Sequence, residues 1–206
     1  MKKTVLRKGS LLFTICAVMV VGIMTGCYGD FRPKKGDGNI VSQERTASGF
    51  SGITVDWVAN VNVYIGEDYK VVVTTDDNLQ AIVLTEVENN ILYITEESKM
   101  NSKPTKLIVD VYLPELKSID LRGVGNVNLS NGNASDLEIS LSGVGNIDAQ
   151  NYQIQHVTIN HSGVGNAKIW VTDSLKGSLS GVGKISYKGN PTIAVNVSGV
   201  GKVNKL

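Results

Sequence analysis

The chain has 206 residues and a formal net charge of +1, from 20 Lys+Arg and 19 Asp+Glu. Its 42% hydrophobic fraction is too high for a disordered chain, and its near-neutral charge disfavours nucleic-acid binding, which needs a basic surface. The 22 glycines follow no every-third period, which excludes a collagen helix. Two cysteines, Cys16 and Cys27, cannot form the disulfide framework of a small secreted domain.

The first 26 residues are predicted to be a lipoprotein signal peptide. Their start is basic, with Lys2, Lys3, Arg7 and Lys8. Residues 11–23 are apolar but shorter than the ~20 residues of a membrane-spanning helix. The following Gly26-Cys27 resembles a bacterial lipobox, with Met24 where Leu is usual, and implies cleavage after Gly26 and lipidation of Cys27. A plain signal peptide or an uncleaved anchor is the alternative.

Residues 27–39 are predicted to be a flexible tether, because they are polar and contain several glycines and a proline. The folded domain is then expected over residues 40–206. Cleavage would remove Cys16 and lipid would cap Cys27, so no free thiol would remain. These features predict a lipid-anchored protein of the cell envelope, at the outer membrane, either periplasmic or surface-exposed.

A Gly-Val-Gly motif followed by Asn or Lys occurs five times. The copies begin at Gly123, Gly143, Gly163, Gly181 and Gly199, spaced by 20, 20, 18 and 18 residues. Apolar residues occupy every second position on both sides of the motif, which is the period of a β-strand. Repeats of 18–20 residues without a helical period predict the coils of a parallel β-helix, regular over about residues 117–206.

Both glycines of each motif are predicted to form structural turns, because glycine accepts positive φ angles and close backbone approach. They are Gly123, Gly125, Gly143, Gly145, Gly163, Gly165, Gly181, Gly183, Gly199 and Gly201. The central valines (Val124, Val144, Val164, Val182 and Val200) are expected to stack as an internal ladder. Asn126, Asn146 and Asn166 are expected to form an amide ladder that ends where Lys184 and Lys202 replace Asn.

The N-terminal half, residues 40–117, consists of β-branched or alternating runs separated by turn residues, with no helical stripe. It is predicted to be irregular β-structure. Two arrangements stay open: further coils of the solenoid, or an antiparallel cap that protects its end from edge pairing.

Residues 50–55 (FSGITV), residues 107–120 (LIVDVYLPELKSID) and the repeated SGVGN and SGVGK turns resemble the putative auto-transporter adhesin, head GIN domain family. The resemblance covers about residues 40–206. It implies a right-handed, single-stranded parallel β-helix in an envelope protein of Bacteroidetes type. The family carries no established catalytic residues, so the resemblance transfers none. Lys184 and Lys202 depart from its Asn-containing turn.

The sequence contains no HExxH, GxSxG, CxxC or P-loop motif. His156 and His161 are five residues apart, which places them on opposite sides of one strand, and neither metal nor cofactor is expected. A calcium-binding roll is disfavoured, because Asp148 alone offers a carboxylate on the strand that follows a turn.

Two function classes remain. The first is a non-enzymatic adhesin or structural module that binds a carbohydrate or protein, with Trp170, at an outward position, as a ligand or partner contact. The second is a polysaccharide lyase or hydrolase, which needs clustered carboxylates. Its candidates are Asp110, Asp120, Asp136, Glu138, Asp148 and Asp173. A weaker third hypothesis is a homo-oligomer that assembles through a solenoid end.

Overall fold

A computed structural model describes residues 33–97, 102–130 and 132–206. The predictions for the signal peptide and Cys27 lie outside the described residues. The described chain forms fifteen strands, one 3₁₀ turn at Asp77–Leu79 and no α-helix. The strands are β1 (Ile40–Arg45), β2 (Gly52–Val55), β3 (Asn60–Ile65), β4 (Lys70–Asp76), β5 (Val83–Glu88), β6 (Ile91–Glu96), β7 (Leu107–Leu113), β8 (Ser118–Leu121), β9 (Val124–Leu129), β10 (Gly132–Leu141), β11 (Val144–His161), β12 (Val164–Leu179), β13 (Val182–Lys188), β14 (Thr192–Val197) and β15 (Val200–Lys205). The prediction of an all-β solenoid is confirmed.

Each Gly-Val-Gly turn pairs in parallel register with the turn of the next repeat. Val124 lies beside Val144, Val144 beside Val164, and the same register continues through Val182 to Val200. The turn amides maintain this stacking, since Val164 N–H donates to the carbonyl oxygen of Gly143 at 2.9 Å. Residues at equivalent positions of successive repeats therefore contact one another along the axis of the solenoid.

The core consists of the alternating apolar residues on either side of the turns. Fully buried ladders include Ile119, Ile139 and Ile159, then Leu121, Leu141, His161 and Leu179, and then Val127, Ile147, Ala167 and Ile185. The apolar residues that alternate on both sides of the turns therefore form internal ladders. Burial of this aliphatic surface is the main term that stabilises the coils, at about 25 cal/mol per Å² of apolar area.

The prediction that the turn valines form an internal ladder is wrong. Val144, Val164 and Val182 are each 49% exposed, and the whole row lies on the outside of the solenoid. The two glycines of each turn occupy the inward positions instead. The previous coil approaches so closely there that a Cβ on Gly165 would overlap the carbonyl oxygen of Gly145.

Both arrangements left open for the N-terminal half are present. Strands β2–β3 and β6–β7 are further parallel coils, and β2–β3 lies between β6–β7 and β8–β9. Strand β4 pairs with β7, β1 pairs with β4, and β5 pairs with β6, all of them antiparallel. The antiparallel strands cover the edge of the outermost parallel coil and serve as a cap.

Residues 35–39, predicted to belong to the tether, hydrogen-bond to this cap. Gly36 N–H donates to the Lys103 carbonyl oxygen at 3.0 Å. Gly38 N–H donates to the buried carboxylate of Asp76 at 2.8 Å, and the Thr105 hydroxyl donates to the same carboxylate. These contacts fix the start of the domain to its capped end.

Candidate functional site

The outward side chains of the strands that follow the turns form a regular polar surface, which we call the asparagine face. Its first row is Asn60, Asn126, Asn146, Asn166, Lys184 and Lys202. Its second row is Asp110, Asn62, Asn128, Asp148, Lys168, Ser186 and Asn204. Positions in one row lie about 4.8 Å apart, the spacing of neighbouring strands.

The first row is joined by amide hydrogen bonds. Asn146 donates to the Asn126 side-chain oxygen from its backbone N–H at 3.2 Å and from its side-chain amide at 2.8 Å. Asn166 makes the same two bonds to Asn146. Asn60, which the sequence does not place in the row, adds one further step at the N-terminal end by accepting both bonds from Asn126. Residue 184 is Lys, and the chain of amides stops there.

These bonds decide what the ladder offers to a ligand. The side-chain oxygens of Asn60, Asn126 and Asn146 each accept two hydrogen bonds from the next asparagine, which uses their two lone pairs, whereas the oxygen of Asn166 ends the ladder. Each side-chain NH₂ carries two hydrogens and donates one of them to the previous coil. The ladder therefore presents a row of remaining N–H donors and few open acceptors.

A shallow depression of about 560 Å³ runs along this face. Both rows of the face line it, from Asn126 and Asn128 at one end to Lys184 and Ser186 at the other. A second depression of about 530 Å³ meets it at Asn126 and continues toward Lys106 and Ile108. The two depressions together follow the axis of the coils.

Aromatic residues flank the face. Trp170 is half-buried, and the Lys188 ammonium lies 3.7 Å from its ring centroid. Tyr64 and Tyr112 stack with centroids 4.7 Å apart, a pair that sequence spacing does not reveal. Burial raises the pKa of the Tyr64 hydroxyl, and the nearby Asp110 carboxylate raises it further. Trp170 thus forms a cation–π contact with Lys188, whereas the two tyrosines stack on each other.

The two histidines lie on opposite sides of β11. His156 is exposed and contacts the Ser174 hydroxyl at 3.0 Å. His161 is fully buried, and its Nε2 lies 2.9 Å from the Gly165 carbonyl oxygen. Its Nδ1 has no hydrogen-bond partner in the part of the chain that the structure describes. His161 is a core residue in a row of leucines.

The candidate carboxylates are dispersed. Asp120 pairs with Arg122 at 2.6 Å, and that hydrogen bond and charge raise the pKa of Arg122. Asp110 accepts a hydrogen bond from Asn62, and both oxygens of Asp148 accept from Gln150. Within residues 33–97, 102–130 and 132–206, no three His, Cys, Asp or Glu side chains converge as a metal site would require.

The described residues include no helix long and apolar enough to span a membrane. The fold and face together define a β-solenoid with a repetitive polar surface. The sequence matches the putative auto-transporter adhesin, head GIN domain family over residues 49–131 and 122–191, and the chain belongs to that family. The family indicates a protein of the cell surface or envelope.

A solved structure shows the same fold. The crystal structure of a putative adhesin from Bacteroides fragilis is 23% identical, with a TM-score of 0.57, and the match covers 84% of this chain and 99% of that one. The crystal structure of a putative lipid binding protein from Parabacteroides distasonis is 21% identical, with a TM-score of 0.47, and the match covers 85% of this chain and 100% of that one. A search of curated proteins found no match in sequence.

Proposed function

We propose that this chain is a non-enzymatic, lipid-anchored envelope protein whose asparagine face binds an extended glycan. The family supports an adhesin-like role, and the Gly26-Cys27 sequence supports anchoring by lipid on Cys27. Two or more acyl chains on one cysteine give stable membrane attachment. The solenoid then serves as a rigid support for the binding surface.

The observation that carries the proposal is the ladder of identical, aligned amides. Four asparagines repeat at the coil spacing of about 4.8 Å, close to the length of one pyranose unit in an extended glycan. Each coil can then offer an equivalent N–H donor to successive sugar units. A regular row of weak contacts is suited to a repetitive polymer, because the contacts add along the chain.

No observation favours the alternative of a polysaccharide lyase or hydrolase. Glycoside hydrolysis requires two carboxyl groups that flank one bond. Asp120 pairs with Arg122, Asp110 accepts a hydrogen bond from Asn62, and both oxygens of Asp148 accept bonds from Gln150, so these candidate carboxylates are engaged in separate contacts. The dispersed carboxylates support a binding surface and not a catalytic centre.

The test is a glycan array probed with the purified full-length chain and two variants. The double variant Asn146→Ala/Trp170→Ala alters the face, and Asn160→Ala, an exposed asparagine on the opposite outward side of β11, is the matched control. We expect glycan binding that the double variant loses and the control keeps, with thermal unfolding confirming that both fold. An array without any bound glycan, or equal loss in both variants, would refute the proposal. Sedimentation of the same samples measures the predicted self-association through a solenoid end.

A further inference from the structure

Basic residues are concentrated in the C-terminal coils. Residues 164–206 contain Lys168, Lys176, Lys184, Lys188, Lys202 and Lys205 but a single carboxylate, Asp173. The capped end has the opposite character, since residues 33–97 contain eleven Asp and Glu against four Lys and Arg. The near-neutral total charge conceals a strong separation of charge along the solenoid.

Four of these lysines share the asparagine face. Lys184 and Lys202 continue the first row after Asn166. Lys168 lies in the second row, and Lys188 lies beside Trp170 at the margin. None of the four forms an ion pair with any carboxylate of the described residues, where the ion pairs found are Lys70–Glu44, Lys117–Glu115 and Arg122–Asp120. Their charges are available to a ligand.

The polar groups beside these lysines are, like the lysines, mainly hydrogen-bond donors. An ammonium group offers three donors and no acceptor, and three of the four ladder oxygens, those of Asn60, Asn126 and Asn146, already accept two hydrogen bonds each. Asp148 is the carboxylate in the lining of the depression, and each of its oxygens already accepts a bond from Gln150. The C-terminal half of the face is therefore cationic and rich in donors, which matches a ligand rich in anionic acceptors.

We propose that this half of the face binds a linear anionic glycan, whose carboxylate or sulfate groups contact Lys168, Lys184 and Lys202. The inference rests on the proposed function and specifies the ligand class. The depression follows the axis of the coils, a direction that suits a single extended polymer chain. The acidic capped end would repel any anionic polymer that extended beyond the lysines, so the ligand is expected to contact the C-terminal coils.

The experiment measures the affinity of the full-length chain for polygalacturonate, dextran sulfate and neutral dextran. The test variant is Lys168→Gln/Lys184→Gln. The matched control is Lys117→Gln/Lys176→Gln, which removes the same charge from exposed lysines on other surfaces. We expect an acidic polymer to bind at least tenfold more tightly than dextran, and the test variant to weaken that binding about tenfold. Raising the salt concentration should weaken it further, because salt screens exposed charges.

The outcomes separate the two proposals. Equal affinity for dextran and the acidic polymers, or equal weakening in both variants, would overturn the anionic-ligand inference and leave glycan binding in place. Absence of binding to every polymer would overturn both. Tighter binding to a single-stranded DNA oligonucleotide or to phosphatidylglycerol vesicles than to either acidic glycan would assign the lysines to another class of ligand.

Discussion

Replacing Gly165 by Ala tests the physical account of the solenoid turn. Gly165 has a φ angle of +147°, and a Cβ there would overlap the carbonyl oxygen of Gly145 in the previous coil. The backbone conformation should cost about 1–3 kcal/mol for a residue with a Cβ. Separation of the two coils should cost a similar amount, about 1–3 kcal/mol. We expect a combined loss of about 2–6 kcal/mol, which corresponds to a decrease in unfolding temperature of roughly 5–20 °C.

Two control glycines separate these contributions. Gly38 has a φ angle of +83° but no atom within 4 Å of the position that a Cβ would take, so Gly38→Ala should show the conformational cost alone, about 1–2 kcal/mol. Gly66 has neither feature, and Gly66→Ala should change stability by no more than about 1 kcal/mol. Urea unfolding followed by circular dichroism and by tryptophan fluorescence measures all three variants. If Gly165→Ala loses no more stability than Gly38→Ala, close backbone approach does not restrict the turn.

Two further predictions concern the turn valines and the cap. Val164→Thr should change stability by about 0.5 kcal/mol or less, because Val164 is 49% exposed, whereas Ile159→Thr should cost about 2–4 kcal/mol, because Ile159 is fully buried. Equal urea midpoints for the two variants would contradict the outward placement of the valines. For Asp76, burial would raise the carboxyl pKa, but hydrogen bonds from Thr105 and Gly38 outweigh it and lower the pKa. The folded protein therefore favours the ionised form, so this stabilisation is complete above the unfolded-state pKa of about 3.9 and is lost as the pH falls below it. Asp76→Asn should reduce stability at pH 7 and flatten the acid limb of the stability curve, and an unchanged acid limb would argue against this role.

The repeat made the C-terminal fold predictable, since its turns and alternating residues specify both coil and register. The valines show how the prediction of side-chain direction failed. Leu141, two residues before Gly143, and Ile147, four residues after it, both point into the core. Because side chains alternate along a strand, Gly143 and Gly145 then also point inward, and Val144 points outward. The apolar character of the turn valines suggested that they are buried, but the alternation of side chains through the turn determines their direction and places them outside.

The N-terminal half was not predictable to the same degree. Its strands lack a repeat, and their stacking order differs from their order in sequence, because β6–β7 lies outside β2–β3. The stacked pair Tyr64 and Tyr112 depends on this non-local arrangement. Local patterns identify strands but do not identify partners half a domain away.

The turn motif connects the stability of the fold with the chemistry of its surface. The inward glycines let each coil approach the previous one, and this approach brings the residue after the second glycine into line with its equivalents. With Asn at that position, the amides satisfy one another and leave a row of neutral donors. With Lys184 and Lys202 there, the backbone register is retained while the surface becomes cationic. Because the side chain at this position points away from the core, the ligand class can change from coil to coil without a change in the fold.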